Sequence, residues 1–154
     1  MKSKIALLIA LSTACLISEC TAAFGQTLYP VQGPLAAQMP PPVFTAQLTG
    51  GNAGKISLHQ VNGELLTGKW SSVKAAFVNN KTPGAPNSYP PQPNLAFAWD
   101  AIYGHGYFLA NVLGVEIGAA SLTGNEGTVL QVEFFNGKFG VAVDNKGNVY
   151  KIVW

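Results

Sequence analysis

The side chains able to carry out acid–base or metal chemistry are few in this sequence and far apart. Its only histidines are His59 and His105. Six carboxylates follow residue 20, namely Glu64, Asp100, Glu116, Glu126, Glu133 and Asp144. A zinc site needs three or four ligands, and glycoside hydrolysis needs two carboxylates that face each other. Because no spacing here assembles such a set, the sequence predicts a protein that is not an enzyme and has no catalytic residue, metal ion or cofactor.

Asp100 is the carboxylate of most interest for catalysis, since it adjoins Trp99 on the opposite face of a predicted strand. A hydrolase would need one of the glutamates to share a pocket with Asp100. Glu64 borders a predicted turn, however, and Glu116 and Glu133 have the solvent-facing phase of predicted strands. A small hydrolase is therefore the second alternative for the function.

The segment YGHGY places Tyr103, His105 and Tyr107 between glycines. Its flexible backbone could present these rings to a ligand, which makes them a candidate ligand-facing loop. The same residues also fit a tight turn between strands, where glycine supplies a positive φ. The tryptophans leave a similar choice open, because aromatic side chains fill cores and also line ligand grooves. They are Trp70, Trp99 and Trp154.

The N-terminus has the layout of an export signal. Lys2 and Lys4 precede an uncharged, mostly apolar run at 5–17, and small residues follow. This run of 13 residues is too short for a transmembrane helix, which needs about 20. The sequence therefore predicts an export signal at 1–20 and an exported protein.

The cysteines in or beside this signal offer two ways to process it. Residues 17–20 resemble the site of a lipoprotein signal peptidase, which would leave a lipid on Cys20, except that Glu19 replaces a small residue. Cys15 is the alternative lipidation site. An ordinary signal peptidase could instead cut near Ala23 and release a free periplasmic or secreted protein. We expect lipidation at Cys20, because the mature chain has no other cysteine.

The charge and cysteine content of the rest of the chain exclude several functions. After Cys20 there is no cysteine, so the body has no disulfide, no thiolate zinc site and no cysteine nucleophile. Seven lysines stand against six acids, and the sequence contains no arginine. With no basic patch, we expect no binding to nucleic acid.

Proline-rich segments divide the chain. Residues 21–43 are uncharged and are predicted to be an extended tether, or an extended segment laid over the sheet. Residues 44–154 are predicted to be a single β domain, crossed by a long proline-rich loop at 78–94. Recurrent glycines and alternating β-branched and aromatic residues predict an all-β fold. The expected form is an antiparallel sandwich or small open barrel of about seven to eight strands.

A hairpin and a C-terminal meander define the predicted sheet. A three-residue loop at 61–63 pairs Leu58 with Leu66 and puts Trp70 on their apolar face. At the C-terminus, an Asn136-Gly137 turn and a loop at 145–148 predict a three-stranded meander. In this meander Phe139 pairs with Phe134, Val141 pairs with Ile152, and the apolar side chains share one face. Alternation also predicts a strand at 95–101.

The signal, the segment TLYPVQGPLAAQMPPPVFTAQLTG and the pattern GKISLHQVNGELLTGKW together resemble small bacterial envelope lipoproteins. The resemblance is best over the N-terminal half, and no motif in it carries an activity. It implies that the protein is located in the envelope of a Gram-negative bacterium, with its globular part in the periplasm. Thr21, which follows the anchor cysteine, implies that the lipid is inserted in the outer membrane.

The expected function is therefore a non-catalytic binding or structural role in the cell envelope. The expected partners are the membrane, through the lipid, and an envelope protein or glycan. The first alternative is a periplasmic inhibitor or immunity protein that blocks an envelope-acting enzyme.

Overall fold

The computed structural model describes residues 23–76 and 94–154. Its elements are β1 (Phe24–Gln32), β2 (Phe44–Leu48), β3 (Ala53–His59), β4 (Leu65–Lys74), α1 (Leu95–Tyr103), a π-helical turn (Phe108–Val112), β5 (Glu116–Gly124), β6 (Val129–Phe135), β7 (Phe139–Asp144) and β8 (Val149–Val153). The predicted export signal, with Cys15 and Cys20, lies outside the described residues. So does the loop at 78–94, except for Asn94.

The eight strands of the described residues form one closed antiparallel barrel. Each strand pairs with its neighbours in the chain, and β1 pairs with β8 to complete the circle. The predicted all-β antiparallel fold is confirmed, and its form is a closed barrel rather than a sandwich or an open barrel. Closure removes the unpaired edges at which a sheet could pair with another chain.

The barrel begins at Phe24, well before the predicted start of the β domain at residue 44. This part of the predicted tether forms β1, which hydrogen-bonds to both β2 and β8. Its side chains alternate in burial, with Gln26 and Leu28 on the inside. Pro30 lies where the register with β8 shifts, so its missing N–H is tolerated there.

The predicted β3–β4 hairpin is confirmed in its register. Leu58 pairs with Leu66 across a loop at 61–63, and Gly63 has the left-handed φ of 85° that such a loop requires. Trp70 is buried in the same apolar cluster as the two leucines. The polar side chains of the hairpin lie on the outer face of the barrel.

The C-terminal meander exists as β6, β7 and β8, but its predicted register is wrong by one residue. Phe139 pairs with Phe135, and Val141 pairs with Lys151. The loop between β6 and β7 therefore holds three residues, 136–138, rather than the predicted two.

Burial on both faces of β7 explains this error. Ala142 faces the barrel interior, whereas Val141 and Val143 belong to a second apolar cluster outside the barrel, beneath α1. A strand that is apolar on both faces has no alternation in its sequence to define its register.

The predicted strand at 95–101 is wrong, because this segment is the helix α1. Asn94 caps the helix, since its side-chain oxygen accepts a hydrogen bond of 2.8 Å from the backbone N–H of Phe97. Leu95, Ala98 and Trp99 are buried and have the spacing of one helical face. They pack on the outside of the barrel, mainly against β7.

The barrel interior is a packed core rather than a channel. The aromatic ring of Phe134 lies at its centre. On the two neighbouring strands, the residues paired with Phe134 are both glycines, Gly118 and Gly140. A Cβ at either glycine would overlap Phe134. The main interior side chains are Leu28, Phe44, Leu48, Ile56, Leu58, Leu66, Trp70, Leu122, Leu130, Val132, Phe134, Tyr150 and Ile152.

Candidate functional site

The two ends of the barrel differ in chemistry. One end carries the turns that join β1 to β2, β3 to β4, β5 to β6 and β7 to β8, and we call it the closed end. The opposite end, which we call the open end, carries the β2–β3 and β6–β7 turns, the connection from β4 to β5 that contains α1, the start of β1 and the end of β8. The side chains at these ends determine where a ligand could enter.

Glu64 ties two turns of the closed end together. Its carboxylate is buried and accepts hydrogen bonds from the backbone N–H of Glu126 at 2.9 Å and from the hydroxyl of Thr128 at 2.6 Å. The ammonium of Lys146 lies 3.8 Å away. The Thr128 hydroxyl, helped by the backbone N–H groups of Glu126 and Thr128 and by Lys146, holds the pKa of Glu64 below its ordinary value despite burial.

Asp144 organises the other side of the closed end. It accepts hydrogen bonds from the side-chain amide of Asn148 at 2.8 Å and from the hydroxyl of Tyr150 at 2.7 Å. Asn148 in turn accepts a hydrogen bond from the backbone N–H of Leu35, in the β1–β2 connection. Burial and the Asp144 carboxylate raise the pKa of Tyr150. This polar network fixes the turns and blocks this end.

The open end has a depression of about 340 Å³ with an aromatic lining. It is lined by Phe24, Leu48, Gly50, Gly51, Trp70, Asn136, Gly137 and Trp154. The indole N–H of Trp70 donates to the carbonyl of Thr49 at 2.9 Å, which fixes that ring. The rings of Trp70 and Trp154 lie 5.5 and 5.3 Å from Phe134, measured between ring centroids. The aromatic lining is therefore continuous with the barrel core.

Gln26 is buried in the layer of side chains just inside the open end. Its side chain is 0% exposed. Among the described residues, neither its Nε2 nor its Oε1 has a hydrogen-bond partner. A polar group inside an apolar core is normally paired, so this amide is exceptional.

The structure brings Tyr103 and Tyr107 together but separates them from His105. The tyrosine rings pack on each other and on Trp99, with Tyr103 also against Phe139. Burial, with a contribution from Tyr107, raises the pKa of Tyr103 to about 12. His105 is exposed and lines a depression of about 510 Å³ beside α1. The candidate ligand-facing loop is thus mostly a packed aromatic cluster.

Asp100 lines the same depression, but its carboxylate is hydrogen-bonded to backbone N–H groups. It accepts hydrogen bonds from the N–H groups of Gly106 at 3.0 Å and of Phe108 at 2.8 Å. These bonds, that from Phe108 above all, lower the pKa of Asp100. Of the described residues that line this depression, only Asp100 is acidic.

Neither metal ligands nor a membrane-spanning helix are found in the described part of the chain. Over residues 23–76 and 94–154, no three His, Cys, Asp or Glu side chains are grouped so that they could hold a metal ion. Within the same residues, no helix has the length and apolar character needed to cross a membrane. His59 is exposed on the outer face of β3.

Sequence reasoning missed Phe24 and Gln26, because it assigned them to a tether. Burial alternates along β1, with Gln26, Leu28 and Pro30 inside, but the residue types do not alternate, because both faces of the strand carry polar and apolar residues. Of the tryptophans, Trp70 and Trp154 line the open end, and Trp99 is buried on the face of α1 that packs against the barrel.

We compared the chain with models of protein families, with curated proteins and with solved structures, and none of them matches it.

Proposed function

We propose that this protein is an exported, non-catalytic binding protein of the bacterial cell envelope, and that it binds a small apolar molecule at the open end of its barrel. The contrast between the two ends carries this proposal. Buried hydrogen bonds occupy the closed end, whereas an aromatic depression occupies the open end. Ligand sites are typically concave and lined by apolar and aromatic side chains with a few polar groups.

The exposure of the aromatic rings at the open end supports binding. Phe24, at the start of β1, is 54% exposed, and Trp154, just beyond the end of the neighbouring strand β8, is 37% exposed. Covering such rings with an apolar molecule removes their surface from water, which is favourable by about 25 cal/mol per Å². The volume of about 340 Å³ is within the range of small-molecule sites.

A lipid on Cys20 would set the orientation of this site. Four residue steps separate Cys20 from Phe24, the first residue of β1. An extended chain covers at most about 3.5 Å per residue, so the open end would lie within about 14 Å of the anchor. The site would then face the membrane surface, where apolar molecules concentrate.

The alternative of an inhibitor or immunity protein is favoured by one feature of α1. Phe97 and Leu109 are 50% and 61% exposed, and they line one depression with His105. Exposed apolar side chains beside a polar group are typical of protein interfaces. This face is the second candidate, and the experiment below separates it from the open end.

Binding of the fluorescent probe N-phenyl-1-naphthylamine tests the proposal with a matched pair of variants. We expect Trp154→Ala to weaken probe binding about tenfold or more, because it removes an aromatic wall of the site. Phe97→Ala removes a comparably exposed ring beside α1 and should leave the affinity unchanged. Loss of binding in Phe97→Ala alone, or no binding by the unaltered protein, would overturn the proposal.

A further inference from the structure

The side chain of Gln26 occupies a position that its surroundings do not explain. Both amide atoms are buried, and among the described residues neither has a hydrogen-bond partner. A leucine or methionine would fill a similar volume without burying an unpaired donor and acceptor. The fold alone is therefore better served by an apolar residue at this position.

The strand register places Gln26 directly beneath the open end. Phe24 pairs with Leu48, and both line the depression. The next inward pair along the same strands is Gln26 with Ala46. Because Thr27 pairs with Val153, the following residue, Trp154, lies beside Gln26 on the neighbouring strand.

This position leaves a short route from the depression to the amide. Ala46, the cross-strand partner of Gln26, has a small side chain. Trp154 lies just beyond β8, outside the paired strand, and its ring is 37% exposed. A modest displacement of the Trp154 ring would open the layer that holds Gln26 without breaking the pairing of β1 with β8.

We propose that Gln26 is a recognition residue, and that the ligand of the open end is a flat apolar molecule with an uncharged amide-like group that pairs with it. This inference rests on the proposed binding function of the open end. A primary amide offers both donors and an acceptor, so one amide or lactam group can satisfy both atoms of Gln26. A carboxylate is disfavoured because it would bury a charge, and the described residues that line the depression include no cation.

Two probes of the same shape test the inference. 2-Naphthamide carries an amide, and 2-isopropenylnaphthalene replaces it by an apolar group of similar outline. We expect the unaltered protein to bind the amide about tenfold more tightly, because a site with a buried polar group rejects an analogue that leaves it unpaired. The affinities are measured by isothermal titration calorimetry.

The variant Gln26→Leu should abolish this preference while keeping the apolar probe bound. It should also raise the melting temperature, because it removes an unpaired buried amide. Gln26→Met is the second variant, and its flexible side chain should give the same loss of preference.

The outcomes separate this inference from the proposed function. Equal affinity of the unaltered protein for both probes, or an amide preference that survives in Gln26→Leu, overturns the role of Gln26 and leaves the open end as the binding site. If the unaltered protein binds neither probe, both the inference and the proposed function are overturned.

Discussion

The indole N–H of Trp99 donates a hydrogen bond of 2.8 Å to a carboxylate oxygen of Glu133, and this bond joins α1 to the outside of the barrel. Trp99 is fully buried and Glu133 is 4% exposed. Burial raises the pKa of the Glu133 carboxyl above its ordinary value of 4.5, and the bond from Trp99 only partly opposes this. The contact thus holds the helix in place and makes the fold sensitive to pH.

Glu133→Gln should reduce this sensitivity. Above a pH of 4.5, the unfolded chain loses this proton while the folded protein retains it, so stability falls as pH rises through the raised folded pKa. Glutamine keeps an oxygen for Trp99 but has no proton to lose. We expect the variant to gain stability relative to the unaltered protein between about pH 4 and about pH 8. Urea unfolding at both pH values measures the difference.

Trp99→Phe is the complementary variant. It keeps an aromatic ring but removes the N–H that favours the charged carboxylate of Glu133. Its stability should therefore fall more steeply with pH than that of the unaltered protein. A constant difference between Glu133→Gln and the unaltered protein at all pH values would contradict the account of this contact.

Glu64→Gln should have the opposite dependence on pH. Because hydrogen bonds lower the pKa of Glu64, its contribution to stability is present above 4.5 and is lost as pH falls through the folded pKa. The variant should therefore be less stable than the unaltered protein at about pH 7, and this gap should close as the solution is acidified to about pH 3. Thermal unfolding at both pH values tests this.

Glu126→Gln serves as the control for Glu64. Glu126 is exposed on the β5–β6 turn, where its carboxylate accepts a hydrogen bond of 2.7 Å from Asn62 of the β3–β4 turn. We expect it to change the free energy of unfolding by less than about 0.5 kcal/mol. If Glu64→Gln behaves like this control at neutral pH, the closed end does not depend on the buried carboxylate.

Gly140→Ala should destabilise the barrel, whereas Gly25→Ala should be tolerated. A Cβ at Gly140 would overlap the backbone of Glu133 and the side chain of Phe134, and at Gly25 it would meet only Thr45 at 3.9 Å. Overpacking a core costs about 1–3 kcal/mol, and more where the backbone must move. Urea unfolding should show this loss for Gly140→Ala alone. Equal stability of the two variants would contradict the packing around Phe134.

Cysteine variants test the proposed lipid anchor. We expect the unaltered protein to fractionate with membranes, and its mass to correspond to a chain that begins at Cys20 and carries acyl groups. Cys20→Ser should move the protein to the soluble fraction, whereas Cys15→Ser, within the predicted signal, should not. An unmodified soluble chain that begins near Ala23 would reject the anchor but would leave the barrel and its open end unaffected.

The parts of the fold that were predicted correctly are those in which one face of a strand is buried and the other face is exposed to solvent. In β3, and in β4 from Leu66 to Trp70, apolar and polar side chains alternate, and a single register satisfies them. The error in register lies in a strand whose two faces are both buried. Val141 and Val143 are buried beneath α1, so β7 is apolar on both faces and its register cannot be read from its sequence.

The helix α1 shows a second limit of the sequence pattern. Leu95, Phe97 and Trp99 alternate as in a strand, yet Leu95, Ala98 and Trp99 also form one face of a helix. Asn94 was the signal that favoured a helix, since asparagine is a preferred N-cap. The choice between these patterns depends on the outer surface of β7, which is far away in the sequence.

The candidate site was only partly accessible to sequence reasoning. Trp70 and Trp154 were recognised as side chains that could belong to a core or to a ligand groove, and the structure puts both beside a depression at the open end. Phe24 and Gln26 were missed because their role depends on closure of the barrel between β1 and β8. Such long-range pairing leaves no local pattern in the sequence.

Mapping the probe by amide and indole NMR shifts tests the central claim most directly. On titration with N-phenyl-1-naphthylamine, we predict the largest changes at the indole N–H groups of Trp70 and Trp154 and at the amide of Asn136, which surround the open end. Changes centred on Phe97, His105 and Leu109 would put the site beside α1 and contradict the account.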